Sequence, residues 1–587
     1  MKHRLVFGCL AMAFAVITAG ALADDRDRDH REAFTKTPIK HLVVIFQENV
    51  SFDHYFGTYP NAQNNAGETP FHASPRTPKN INTLLTPLDV NHGFVPLSGL
   101  DLIGHNPNGP GGSGAAINGT DASNPFRLTP AQGLTADQGH NDNPEQLADD
   151  NGKMDAFPHF TGVGGTPMGA GKSLVMGYYD GNTTTAMWNY AQHFALSDNS
   201  WTTTFGPSTP GALNLVSGQT SGFAAFANVI DGGGNLLFKT HEAKDGGGNF
   251  TEIGDGEPLG DKCSNTTIDQ ITMQGSNIGD LLNARNITWG SFMGGFDLTV
   301  VNPNGTTGCL RSSTTTAPGA TAEVTSADYI PHHAWFQYFA STRNDSHARP
   351  ASVAAIGRTR DPHTGMPDPA NHAYDIHDFF DALKAHNLPA VSLLKAPAFE
   401  DGHPGYSDPI DEQEFIVNVI NTLEKSPEWE STAVIIAYDD SDGWYDHQEP
   451  PVVNPSFTSA DALNGPGVCN ASLQQQGRPV ATTPLNGAFG YPAQGRCGYG
   501  TRVPLLVISP FAKVNHVDHT LTDQSSVLRF IEDNWLSGQR VQPGGSFDTI
   551  SGPIDNMFDF DRHEEGEARK VFLDPATGTV ASISDHD

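Results

Sequence analysis

Three stretches of this chain place carboxylates, amides and histidines directly after runs of apolar residues. Glu48-Asn49 follows the run Ile39 to Phe46, and Tyr438-Asp439-Asp440-Ser441-Asp442 follows Ala433 to Ala437. Glu400-Asp401-Gly402-His403-Pro404 stands a few residues beyond Ala390 to Leu394. Carboxylates gathered in one place repel one another unless cations or protons compensate them. Oxygen-rich ligand sets suit Mg²⁺, Ca²⁺ or Mn²⁺, and added histidine nitrogens admit Zn²⁺. Glu48, Asn49, Asp439 and Asp440 are therefore candidate ligands of a divalent metal ion, whereas Asp53, Asp442 and Asp446 read as turn and cap residues. The candidate nucleophile is Ser208, in Phe205-Gly206-Pro207-Ser208-Thr209-Pro210-Gly211-Ala212. Its position before Pro210 reads as the N-cap of a helix. There, backbone N–H groups and the positive end of the helix dipole would stabilise a phosphate on its hydroxyl.

The elements that must carry these residues are legible from hydropathy. The runs at 39–46, 390–394, 433–437 and 503–508 are near-continuously apolar rather than alternating, which predicts strands covered on both faces. Between them lie helical patterns at Asp411 to Lys425, with Ile416, Val419, Ile420 and Leu423 on one side, and at Asp523 to Leu536. Strands alternating with helices predict an α/β fold. In such sheets ligands bind beyond the carboxyl ends of the strands, where these polar groups fall. Gly- and Asn-rich stretches at 105–125 and 231–250 read as surface excursions. The span 222–330, weak in periodicity, reads as an inserted cap within a catalytic domain of 39–587.

ENVSFDHYFG (48–57) resembles the ENRSFDHYFG opening of bacterial phospholipases C and the secreted acid phosphatases related to them, in the alkaline phosphatase superfamily. GPSTPG (206–211) stands where those lipases carry GPTxPNR. DDSDGWYDH (439–447) stands for their DExxGxxDH, and GTRVPLLVISPF (500–511) for their GxRVPxxxxSPW. The resemblance runs from about 39 to 540 and implies an alkaline-phosphatase-like fold: a central, mostly parallel sheet flanked by helices. It implies Glu48, Asn49, Asp439 and Asp440 at the metal and Ser208 as a nucleophile that forms a phosphoserine. It also implies His140, ahead of GKMD, and His403, in EDGHPGYSDP, as phosphate-contacting histidines. His333 or its neighbour His332 is expected to supply a third. Serine for threonine at 208, Gly211-Ala212 for Asn-Arg and Asp440 for glutamate match the acid phosphatase branch. They point away from strict phospholipase C activity. Histidines that must be cationic favour an acidic optimum.

The expected partners are small phosphorylated substrates, with phospholipid as the alternative. A net charge of −33 argues against nucleic acid and against docking on anionic lipid. The opening MKHRLVFGCLAMAFAVITAGALA has a basic start, a short apolar run and a small-x-small site ending at Ala23. It reads as a cleavable secretory signal (1–23) rather than a membrane anchor, followed by a mobile leader at 24–38. A secreted or periplasmic location makes disulfides available to Cys263, Cys309, Cys469 and Cys497. Pairing of sequence neighbours is the simplest of the three connectivities. A sulfatase is disfavoured because Ala212 stands where its maturation signal needs arginine. The non-enzymatic alternative is a secreted protein stabilised by a bound cation.

Overall fold

The apolar run near the start of the domain forms β1 (His41–Gln47), buried along nearly its whole length at the centre of an eight-stranded sheet. The computed structural model describes residues 34–165, 171–227, 242–244, 247–321, 323–472, 479–561 and 568–584. The expected signal and most of the expected leader lie outside them, as does much of the 231–250 excursion. The other strands, in chain order, are β2 (Ala195–Ser197), β3 (Trp289–Met293), β4 (Ala373–Asp375), β5 (Val391–Lys395), β6 (Thr432–Tyr438), β7 (Leu505–Ile508) and β8 (His516–Asp518). In space they run β4-β3-β5-β1-β6-β7-β2-β8. Every neighbouring pair is parallel except those made by β7, which is antiparallel to both β6 and β2. The fold class expected from the sequence is thus the one observed: a mostly parallel sheet with helices packed on it.

Four helices carry side chains that reach the polar loops at the strand ends. They are α1 (Asp142–Asp149), α2 (Ser208–Ser217), α3 (Pro409–Glu424) and α4 (Gln524–Trp535). Helix α3 begins with Asp408 accepting from the N–H groups of Ile410 and Asp411, with Pro409 at its first position. It buries Ile416, Val419, Ile420 and Leu423, the stripe read from the sequence. A second, five-stranded sheet is built from Ser221–Ala227, Glu242–Lys244, Phe250–Glu252, Glu257–Pro258 and Gln270–Met273. The structure divides the 222–330 span differently from the single insertion expected. Trp289–Met293, with Gly290 and Ser291 interrupting its apolar character, is β3 of the central sheet. Two disulfides, Cys263–Cys309 and Cys469–Cys497, join the sequence neighbours.

The polar loops at the carboxyl edge are tied together by one arginine. Arg502, just before β7, is fully buried, its guanidinium 4.3 Å from the centre of the Phe52 ring. It pairs with Asp53 (3.2 Å) and Asp446 (3.1 Å) and donates to the carbonyls of Asn82 and Asp198 (2.9 Å each). His447 completes the group, Nδ1 lying 2.6 Å from Asp53. Segments that follow β1, β2 and β6 are thereby held to the one that enters β7. Asp53 and Asp446, which read as turn and cap residues in the sequence, are here the ion-pair partners of a buried arginine. Arg502→Ala leaves two buried carboxylates without their partner, so unfolding stability should fall by about 3–5 kcal/mol. Urea titration of the purified protein checks this, and Arg502→Lys should recover only part of the loss because an ammonium cannot reproduce the planar fork.

Candidate active site

Register decides where the site lies. β1 and β6 pair in parallel with Gln47 opposite Tyr438, so the residues after each strand emerge side by side. The Asp439 N–H donates to the Gln47 carbonyl (3.2 Å), and Glu48, Asn49, Asp439 and Asp440 are all buried. Asn49 adopts a left-handed backbone (φ 47°), a conformation asparagine tolerates better than most residues. With its amide oriented to satisfy its neighbours, the nitrogen donates to Asp439 Oδ1 (3.0 Å) and to Glu48 Oε2.

Ser208 approaches these carboxylates from α2. Pro207 occupies the N-cap and Ser208 the first helical position, one residue further in than the sequence suggests. Its side chain makes no cap bond. Instead its Oγ lies 3.1 Å from Asp440 Oδ2 and 3.2 Å from Glu48 Oε2. The approach is close enough that a Cβ at Gly211 would run into the Asp439 carbonyl, which explains a glycine where the lipases carry a larger residue. From the loop between strands Phe250–Glu252 and Glu257–Pro258 of the second sheet, Asp255 accepts the Thr209 N–H (3.0 Å) at the same helix end.

The histidines surround this group. His140 places Nδ1 3.0 Å from Asp442 Oδ1. Its ring centre is 6.4 Å from that of His403, which in turn is 6.5 Å from His333. His403 Nε2 lies 3.2 Å from the Asn49 amide oxygen. His333, not His332, enters the cluster. Its Nδ1 is 3.1 Å from Glu48 Oε1, and its buried Nε2 has no hydrogen-bond partner among the described residues. The His332 side chain is 25% exposed and faces Glu257 at 3.8 Å.

Burial alone pushes a histidine toward its neutral form. For His140 that effect is outweighed by Asp440, Asp442 and Asp137, which hold its pKa well above the usual value. Burial wins at His403, pushed down to about 4, and at His333, held well below the usual value with His332, His403 and His140 adding to the effect. Of these three, His140 is the one whose surroundings favour the cationic form. Burial raises the Asp440 carboxyl well above the usual range, with His140 opposing and Asp439 adding to the rise. Burial also raises Asp255, but His332, His140 and the Thr209 N–H together hold it below its ordinary value.

Lys395, the last residue of β5, did not stand out in the sequence. Its buried ammonium pairs with Glu48 Oε1 and lies 4.0 Å from Asp439. The available signal was a lysine closing an otherwise apolar strand, Val391-Ser392-Leu393-Leu394-Lys395. Asp255 and Glu145 also went unnoticed: Asp255 comes from a segment with no motif of its own, and Glu145 stands between His140 and GKMD, where the motif singles out the histidine. Three buried carboxylates and an amide emerge from two adjacent strand ends, an oxygen-rich set of the kind a hard divalent cation takes, and the ligand-type atoms that lie closest to one another around Glu48 are those of Glu48, His333 and Asp401. Ligation through the Asn49 oxygen requires its amide to turn over.

Fold and site together define an α/β protein with an acidic, serine-bearing centre at the carboxyl edge of its main sheet. The phosphoesterase family model matches residues 39–536, and the chain belongs to that family. Among curated proteins it is similar to the non-hemolytic phospholipase C of Pseudomonas aeruginosa, 37% identical over 186 residues, 31% of this chain and 25% of that one. It is also similar to phospholipase C A of Mycobacterium tuberculosis, 27% identical over 154 residues, 26% of each. The matched stretches span about a quarter of the length of these relatives. Among solved structures, murine ectonucleotide pyrophosphatase/phosphodiesterase 5 aligns at TM-score 0.29 and 11% identity, covering 64% of this chain and 95% of that one.

Proposed function

We propose that this chain is a metal-dependent phosphoric ester hydrolase with Ser208 as nucleophile and phosphate monoesters as preferred substrates. The observation that carries the reading is the Ser208 hydroxyl, at the start of α2, within hydrogen-bond reach of both Glu48 and Asp440. A divalent cation held by Glu48, Asn49, Asp439 and Asp440 would lower the pKa of that hydroxyl and screen it from an anionic ester. The Ser208 proton passes to a carboxylate oxygen it already touches, the Oγ–P bond forms, and the P–O bond to the leaving alcohol breaks. His140, kept cationic by Asp440 and Asp442, protonates the departing oxygen. His333 and His403 line the phosphoryl group, and the helix end meets its negative charge. Water then attacks the phosphorus, giving its proton to the neutral His140, and the Oγ–P bond breaks as the carboxylate returns its proton to Ser208 Oγ, releasing phosphate. Two disulfides suit an exported protein.

Ser208→Ala should fold as the wild type yet lose several orders of magnitude in kcat, because no other hydroxyl replaces the covalent step. Turnover of p-nitrophenyl phosphate checks this, and near-normal rates would shift the role to Thr209.

Asp439→Ala and Asp440→Ala should both lose bound divalent metal along with activity. Elemental analysis of the purified variants decides, and full metal content in both would refute the assigned ligands.

Monoesters are favoured over choline-type diesters because Ala212, buried in α2, stands where the resembling lipases carry arginine, so the helix offers no side-chain cation there. The kcat/KM for p-nitrophenyl phosphate should exceed that for p-nitrophenylphosphorylcholine by at least about tenfold, the share one such interaction can supply. The reverse preference would make the chain a phospholipase C, the activity named for its relatives.

A further inference from the structure

The proposed nucleophile and metal carboxylates come from loops far apart in sequence, and two buried side chains touch both loops without belonging to either: Gln524, which accepts the Thr203 N–H and donates to the Asp439 carbonyl, and Glu145, whose contacts fall nearer Ser208 and Asp440. Glu145, in α1, is 4% exposed. Its Oε2 accepts the N–H of Gly206 (3.0 Å), two residues before Ser208. Its Oε1 accepts the hydroxyl of Ser441 (2.6 Å), the residue after Asp440. Both attachment points are stiff. Gly206 has φ 116°, a conformation reserved for glycine, and the Ser441 oxygen also receives the Gly443 N–H (3.1 Å). A buried carboxylate is costly unless every acceptor is used, and here both oxygens are.

We propose that Glu145 is a positioning residue that clamps the Ser208 loop to the Asp439–Asp440 loop and so fixes the nucleophile against the carboxylates. The assignment rests on the proposed role of Ser208 and deepens it. The hydroxyl's contacts at 3.1 and 3.2 Å are at the long end for O–H···O bonds, so they hold the loop weakly by themselves. An orientation error of about an ångström in such a centre costs on the order of a hundredfold in rate while leaving ground-state binding almost intact.

The test compares Glu145→Ala, Glu145→Gln, Ser441→Ala and the Glu145→Ala/Ser441→Ala double variant with the wild type, using p-nitrophenyl phosphate and the inhibitor vanadate. Glu145→Ala should lower kcat about a hundredfold with KM within roughly threefold, and raise the vanadate inhibition constant in step with the loss. Glu145→Gln, whose one carbonyl oxygen still accepts, should recover about tenfold of that. The double variant should lose less than the two single losses combined, because the Glu145–Ser441 bond can be removed only once, and any loss beyond Glu145→Ala alone reflects the Gly443 N–H that Ser441 also accepts. Backbone hydrogen exchange at Gly206 should quicken about tenfold or more in Glu145→Ala, a readout independent of turnover. A kcat within threefold of wild type, or losses that add in the double variant, would overturn the clamp and leave Glu145 a stabilising residue. Should Glu145→Ala fail to fold, the Gln and Ser441 variants decide by the same criteria. Absence of turnover in the wild type, or full turnover in Ser208→Ala, would instead strike at the proposed nucleophile, while the exchange result still judges the clamp.

Discussion

Three carboxylates that cannot avoid one another are the constraint around which this molecule is arranged. Parallel, in-register pairing of β1 with β6 puts Glu48 beside Asp439 and Asp440, out of water, at the carboxyl edge of the sheet. In water such a cluster would be weakly repulsive; buried, each charge interacts with its neighbours several times more strongly. What surrounds it supplies compensation: the Lys395 ammonium, the His140 imidazolium, the Asn49 amide hydrogens and the positive end of α2. These groups do not cancel three carboxylates in full, since part of Lys395's charge is also shared with Asp401 and Glu412. The remaining imbalance is what the proposed divalent cation would neutralise.

The outer ring of interactions is a second layer of the same solution. Loops that carry charged groups toward each other tend to splay, and here they are fastened at points outside the cluster. Arg502 gathers the turn after β1 and the loop after β6 through Asp53 and Asp446. Glu412, on α3, receives the hydroxyls of Tyr55 (2.7 Å) and Tyr438 (2.6 Å), bracketing the same two strand ends from beneath. Both anchors bury ionisable groups, an expensive choice for stability alone, since apolar residues of similar size often pack as well. They are understandable where the fold must hold specific loops in one arrangement.

The parts legible in the sequence were those with a local signature. Near-continuous apolar runs marked β1, β5, β6 and β7, and the acidic or amide residues closing β1 and β6 marked the edge where the site lies. β3 escaped because Trp289-Gly290-Ser291-Phe292-Met293 reads as neither continuous nor alternating, although the structure buries all five residues. β2 and β8 are three residues each, too short to show a period. Lys395 was hidden by its charge, which argues for a surface position unless its partner is known. Glu145 and Asp255 each accept a backbone N–H of a distant loop, and a backbone donor has no sequence identity to match; the second Glu145 bond, from the Ser441 hydroxyl, joins residues far apart in the chain. Of the histidines, the neighbours His332 and His333 could be told apart only by the direction each side chain takes from its short helical turn.

The one-residue difference at Ser208 has chemical content. An N-cap serine turns its oxygen back to accept N–H groups of the first turn, which occupies the lone pairs a nucleophile needs and points them along the helix axis. With Pro207 at the cap, Ser208 is released from that duty. Its hydroxyl instead lies within donating distance of Asp440 and Glu48, leaving oxygen lone pairs available for attack. The cost is a helix start without its usual side-chain cap, and two other features offset it. Pro210, at the third position of α2, has no N–H to satisfy. The Thr209 N–H is met by Asp255 from a loop between strands of the second sheet. Capping has thus been moved to another part of the chain, which leaves the Ser208 hydroxyl free for the role proposed for it, while its helix still presents a positive end.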